Sequence, residues 1–126
     1  MRRVIQTAQA PTPIGPYSQG VVIPPLLFTA GQVGIDPATA TLVTGGVAAE
    51  ARQALTNLKS IVESAGGHLE DIVKTSVFLV DMADFKAFNA VYEEFFPHRP
   101  PARTTVAVSG LPAGARVEIE AIAAWK

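Results

Sequence analysis

The chain has no cysteine among its 126 residues, which excludes disulfides, thiol nucleophiles and thiolate metal ligands. Histidine is nearly absent too. His68 and His98 stand thirty residues apart with no acids at ligand spacing, so no metal centre is expected. Neither a Gly-x-Gly-x-x-Gly stretch nor a P-loop occurs, which removes the usual dinucleotide and nucleotide phosphate cradles. Ser18, Ser60, Ser64, Ser76 and Ser109 all lack the sharp strand-to-helix elbow of a hydrolase nucleophile. No lysine sits in a Schiff-base context, and no cofactor is implied. Positive charge is not in excess: 10 Lys and Arg against 11 Asp and Glu give a net charge of −1. With a pI near 6.1, nucleic acid is not an expected partner. No run reaches the roughly 18 apolar residues of a membrane helix, and the most apolar one, Val21 to Phe28, is interrupted by Pro24-Pro25. Arg2-Arg3 is followed by no apolar core, so no secretion signal is expected and the expected location is cytoplasmic.

What the chain does have is apolar surface. Hydrophobic residues make up 48% of it, and the mean hydropathy is +0.28. Residues 1–126 are expected to form one domain, whose surplus of apolar side chains suits a subunit interface. Val4-Ile5 reads as a short edge strand. Ala10 to Gly20 carries three prolines and two glycines and is expected as an ordered loop that delivers Tyr17 to the next strand. Val21-Val22-Ile23 and Leu26 to Ala30 predict a tight hairpin across Pro24-Pro25. Gly31 follows, where a side chain's absence permits close approach of another strand or of a ligand.

After Gly45-Gly46, apolar residues from Val47 to Ala65 recur at 3.6-residue spacing and predict a first helix. Ile72 to Val80 predicts a strand whose apolar end, Val77-Phe78-Leu79-Val80, suggests burial on both faces. Asp81 is expected to cap a second helix, Met82 to Phe96, with Asp84 completing a capping box. Its stripe of Phe85, Phe88, Val91, Tyr92 and Phe95 reads as core, with Asn89 beside it. Pro100 to Val108 and Arg116 to Ala123 flank a Gly/Pro turn, as the two arms of a hairpin would. These elements predict an α+β fold, two helices packed on one face of a five- or six-stranded sheet. Since two one-faced helices cover only one side, the other side is left for an interface or a pocket.

The chemistry-bearing residues that remain are Arg103, Glu118, Glu120, Tyr17 and the backbone near Gly31. Alternation puts Glu118 and Glu120 on one face of their strand and Val117, Ile119 and Ala121 on the other. Two acids on a strand usually mark a solvated face. The sharper alternative is a partly buried pocket in which Arg103 and a glutamate hold a small charged ligand. Arginine grips a carboxylate bidentately, and a glutamate beside it can take a proton from water. Without metal or cofactor, such a site can attack only an activated carbon, and an imine carbon is one.

The Ile14-Gly15-Pro16-Tyr17-Ser18-Gln19-Gly20 loop, Thr29-Ala30-Gly31-Gln32, Asn89-Ala90-Val91-Tyr92-Glu93, Pro101-Ala102-Arg103 and Val117-Glu118-Ile119-Glu120-Ala121 together resemble the RidA (YjgF) family, over about residues 4 to 124. The resemblance implies a chorismate-mutase-like fold and a homotrimer with its sites in the clefts between subunits. It implies hydrolysis of 2-enamine and 2-imino acids, such as 2-aminoacrylate, to 2-keto acids and ammonia. By this resemblance Arg103 binds the substrate carboxylate and Glu118 positions the attacking water, while Tyr17, Ala30, Gly31, Asn89 and Thr105 line the pocket. Ala30 and Thr105 depart from it, since many members have serine and cysteine there. That departure favours a competing expectation, a non-catalytic trimer that binds small carboxylates for regulation or chaperone-like protection. Members have also been credited with RNA cleavage, against which the acidic pI and missing basic patch speak.

Overall fold

A computed structural model describes residues 1–126. Its elements run β1 (Arg3–Ile5), β2 (Gly20–Ile23), β3 (Leu26–Thr29), β4 (Ile35–Asp36), β5 (Thr41–Leu42), α1 (Gly46–Ser64), β6 (Ile72–Leu79), α2 (Phe85–Phe95), β7 (Ala102–Ala107) and β8 (Val117–Ala124). Six strands form one mixed sheet in the order β1-β2-β3-β8-β6-β7, and β4 and β5 form a small hairpin of their own. The predicted two-helix, one-sheet α+β architecture is what the chain adopts. The hairpin across Pro24-Pro25 pairs Ile23 with Leu26 through a cis peptide. No helix is long and apolar enough to cross a membrane.

Gly45 and Gly46 have φ of 118° and 82°, left-handed values that let the chain turn sharply into α1. The helix then buries Val47, Ala51, Ala54, Leu55, Leu58, Ile61 and Val62, the face that its periodicity assigned to the core. Each of the valine, leucine and isoleucine side chains among them contributes about 1.5–3 kcal/mol on burial. α2 adds Phe88, Val91 and Tyr92 to the same cluster. Val77, Leu79, Val117, Ile119, Ala121 and Ala123 of the central strands complete that cluster.

Three local expectations are corrected. Arg103's strand and Glu118's strand are not hairpin partners: β7 pairs in parallel with β6, and β8 pairs antiparallel with β6 on its other side. Parallel strands need a crossover, and α2 supplies it between β6 and β7. The nine residues from Val108 to Arg116 then step over the end of β6, where Val108 N donates to Leu79 O and Val80 N to Arg116 O. The capping box is also absent. Asp81 does accept from Ala83 N at 2.9 Å, but a 3-10 turn at Met82–Asp84 precedes α2, and the Asp84 carboxylate faces Arg116 at 3.4 Å. Lastly, β6 lies inside the sheet, yet Thr75, Val77 and Leu79 are buried while Lys74, Ser76 and Phe78 are only half-buried. Its apolar end reflects a second face that no part of the same chain covers.

That open face has a clear composition. Register places Val21, Phe28, Ile122 and Lys74 side by side, then Glu120, Ser76 and Thr104, then Glu118, Phe78 and Val106. Phe28 and Val106 are each 42% exposed.

Candidate active site

Seven sequence-predicted residues fall into two groups. Tyr17, Ala30, Gly31 and Glu118 line one cleft of about 280 Å³, together with Ile14, Gln32 and Pro112 among others. Arg103 and Asn89 line a second, more open one beside Tyr92, Phe96 and Pro101. Thr105 joins the second group, because its Oγ1 accepts from Arg103 Nε.

In the first cleft, the loop before β2 is held in place by Gln19. The Gln19 side chain is 2% exposed. Its Oε1 accepts from Thr7 N at 2.7 Å, and its Nε2 is shared among the carbonyls of Thr7, Ala10 and Pro11. Its own carbonyl accepts from Ala30 N at 2.9 Å. One side chain therefore ties the Tyr17 loop to the Ala30-Gly31 strand end, a role that sequence reasoning missed. Its sequence signal was faint, a lone amide between a serine and a glycine. Tyr17 Oη accepts from Ile14 N at 3.3 Å, which leaves the phenolic proton available to a ligand.

Gly31 is where the strand end meets the acid. A Cβ at residue 31 would lie 2.8 Å from both Cδ and Oε2 of Glu118, so only glycine lets the carboxyl occupy this position. Burial raises the Glu118 pKa above its ordinary 4.5, and repulsion from Glu120 raises it further. A carboxyl so shifted holds its proton at higher pH and, once ionised, is a better base than a free glutamate.

In the second cleft, the β7 alternation turns Arg103 and Thr105 toward α2. Arg103 donates from Nη2 to Asn89 Oδ1 at 2.7 Å and from Nε to Thr105 Oγ1 at 2.9 Å. The chain's two ion pairs, Arg52–Glu94 and Arg116–Asp84, do not include it. Two of its five N–H groups are thus directed by neutral acceptors, and three remain for an anion. Thr105 is no defect in this setting. Its hydroxyl is a stronger acceptor for Nε than a thiol would be.

Arg103 and Glu118 do not meet within one chain. Thr75 is the register partner of both Arg103 and Ala121, and it lies on the helix face. Glu118 points to the other face. The two residues are also two strands apart, about 10 Å across the sheet and about 10 Å along it from strand geometry. The side chains gather no group of three His, Cys, Asp or Glu that could hold a metal ion.

Fold and clefts together define an α+β protein with an unpaired arginine on one face of its sheet and a half-buried carboxyl on the other. Residues 7–125 match the sequence pattern of the family described as Endoribonuclease L-PSP. The chain is 48% identical over 123 residues to the 2-iminobutanoate/2-iminopropanoate deaminase of Homo sapiens, covering 98% of this chain and 90% of that protein. It is 50% identical over 123 residues to a RutC family protein of Pyrococcus horikoshii, covering 98% of each. Among solved structures it is similar to RidA from a Psychrobacter species, with a TM-score of 0.95, 42% identity and coverage of 98% and 99%. It is equally similar to E. coli TdcF with bound serine, at a TM-score of 0.95, 41% identity and coverage of 98% and 99%. The chain belongs to the L-PSP family, which is the RidA/YjgF family.

Proposed function

We infer that this protein hydrolyses 2-imino acids, and the 2-enamine acids that tautomerise to them, to 2-keto acids and ammonia. The observation that carries the reading is Arg103, oriented by two neutral acceptors and left without an acidic partner. The deaminase names of relatives near 50% identity support it, as does the serine bound to TdcF, an amino acid bearing the same carboxylate. Arg103 takes the substrate carboxylate through its remaining N–H groups. Each charge-assisted hydrogen bond contributes about 1.5–3 kcal/mol.

Glu118 orients a water and accepts its proton as the oxygen adds to the C=N carbon. A C–O bond forms, and the π pair moves to nitrogen, which takes that proton from Glu118 to give the neutral carbinolamine. Glu118 then accepts the hydroxyl proton and passes it to the nitrogen, so the C–N bond breaks as C=O forms, and ammonia leaves with Glu118 ionised again. Water plus imine gives ketone plus ammonia, with no redox change. The Tyr17 hydroxyl is available to the substrate side of the cleft.

Because Arg103 and Glu118 occupy opposite faces, the working site joins the Arg103 cleft of one subunit to the Glu118 cleft of a neighbour. The uncovered apolar face supplies the contact, and three copies arranged head to tail close it into a homotrimer. The test is complementation. Arg103→Ala and Glu118→Ala are each expected to be inactive. Trimers assembled randomly from equal amounts of both regain about a quarter of the wild-type sites, since each site draws its halves from two subunits. Keto-acid release from 2-iminobutanoate generated in situ is the readout. Failure of the mixed trimers to regain activity sinks the shared site. An inactive wild type that still binds a small carboxylate selects the non-catalytic alternative.

A further inference from the structure

Tyr92 has no part in the reaction just described, and the sequence places it among the core aromatics of α2. Its surroundings say more. The ring lies under Arg103, with Cζ 4.7 Å from the Tyr92 centroid, nearer than to Phe88 at 5.4 Å or Phe85 at 5.5 Å. At the ring's far end, the hydroxyl meets Thr75 Oγ1 at 2.7 Å. Both residues are buried, Tyr92 6% and Thr75 0% exposed. Thr75 is in turn the register partner of Arg103 across β6 and β7. Arg103, Tyr92 and Thr75 thus close a loop through β7, α2 and β6. Phe88 and Phe96 flank the tyrosine ring at 5.4 and 4.7 Å, both tilted by 42°, so the ring has little room to rock.

Geometry shows what this loop adds. Asn89 and Thr105 hold the guanidinium at two points near its edge. Two edge contacts leave a rotation about the line joining them, and that rotation swings the free N–H groups away from a ligand. A contact against the flat face removes it. Aromatic faces attract a guanidinium electrostatically, most strongly when water is excluded. Burial raises the Tyr92 pKa, against smaller lowering by the Thr75 hydrogen bond and the Arg103 charge. The phenol therefore stays neutral and offers a π face rather than competing with substrate as a phenolate.

We propose that Tyr92 and Thr75 are positioning residues for Arg103, the buried hydroxyl pair locking the ring whose face sets the plane of the carboxylate-binding fork. This rests on the reading that Arg103 is the carboxylate anchor. A phenylalanine at 92 would fill the same space, but its ring would be fixed by packing alone. The packing role of a core aromatic and the positioning role make different predictions about ligand charge.

The experiment compares wild type, Tyr92→Phe, Thr75→Val and Tyr92→Leu as full-length protein. Calorimetry measures binding of 2-oxobutyrate and of its neutral amide, 2-oxobutanamide. Steady-state assays on 2-iminobutanoate give kcat and KM. Tyr92→Leu is expected to weaken 2-oxobutyrate binding and raise KM by about tenfold while leaving amide binding within about twofold. Tyr92→Phe and Thr75→Val keep the packing and are expected to give about threefold by the same scale, so the proposal stays testable if the leucine variant does not fold. Equal loss for acid and amide, or a fall in kcat at constant KM, overturns it. So does a wild type that binds the acid no better than the amide. A wild type inactive on the imine, yet selective for the acid in a Tyr92-dependent way, overturns the deaminase reading and leaves this one standing.

Discussion

Gly31→Ala separates catalysis from stability in this fold. The added Cβ would stand 2.8 Å from Cδ and Oε2 of Glu118 and 3.0 Å from its Cγ. Carbon atoms sit comfortably at about 3.5–4.0 Å, so the carboxyl must retreat by about 0.7–1.2 Å. A displacement near 1 Å at a reacting group costs about 10²-fold in rate. Complete loss of a general base costs about 10²–10⁴-fold and sets the upper bound. The backbone has no objection to alanine, because Gly31 is not among the glycines with left-handed φ. At such a position alanine stabilises by about 0.4–1 kcal/mol through the unfolded chain, which offsets part of the contact strain on a side chain able to move. The expected result is a kcat about 10²-fold lower, with a Tm within a few degrees of wild type. Keto-acid release and thermal unfolding of the same preparation measure both. Glu118→Ala combined with Gly31→Ala should be no worse than Glu118→Ala alone, since both act through one carboxyl. A Gly31→Ala enzyme with wild-type kcat, or a loss that only tracks the folded fraction, refutes the reasoning.

Two further outcomes follow from named contacts. Burial and then Glu120 raise the Glu118 pKa within the chain, so Glu120→Gln should move the acid limb of kcat/KM to lower pH by the smaller, repulsive part only. The stability sign is the opposite: the folded state holds this proton more tightly, so the Glu118 contribution is full below about pH 4.5 and is lost as pH rises through the folded value. A pH–rate profile unchanged in Glu120→Gln contradicts this coupling. Gln19→Leu orphans Thr7 N and the carbonyls of Thr7, Ala10 and Pro11, costing about 2–4 kcal/mol at about 1–3 per dry group with part rehydrated. Urea unfolding reads that loss, and hydrogen exchange should speed up across the Tyr17 loop. Unchanged exchange there would mean that Gln19 does not hold the loop.

The helices were legible because their signal is local. α1 needs only Val47, Ala51, Leu55, Leu58 and Val62 at 3.6-residue spacing, and a helix has no other place to put them. The Pro24-Pro25 turn was legible for the same reason. Partnership between β7 and β8 was not. Two strand-like runs around a Gly/Pro turn look alike whether they pair or admit a third strand, and β6, whose insertion decides the matter, lies some thirty residues earlier. The site divides in the same way. Elimination reaches Arg103, Glu118, Tyr17 and Gly31, and the family resemblance adds Ala30, Asn89 and Thr105, whereas the split of Tyr17, Ala30, Gly31 and Glu118 from Asn89, Arg103 and Thr105 depends on sheet order. Tyr92 shows a subtler limit. Its periodicity reads correctly as core, and periodicity says nothing of what lies on the far side of the ring.

Sheet order also gives the proposed chemistry a dependence on assembly. Arg103 is directed toward α2 by Asn89 and Thr105, and Glu118 is pressed against Gly31 on the opposite face. No loop movement within one chain brings them together, because β6 stands between their strands and the two side chains leave the sheet in opposite directions. On that proposal an isolated chain holds two incomplete halves, each with its charged residue half-buried. Association would complete the site and cover Phe28, Phe78 and Val106 in one step. The apolar area that drives assembly and the geometry that permits catalysis are then properties of the same surface. Activity should fall with dilution along the same curve as the oligomer.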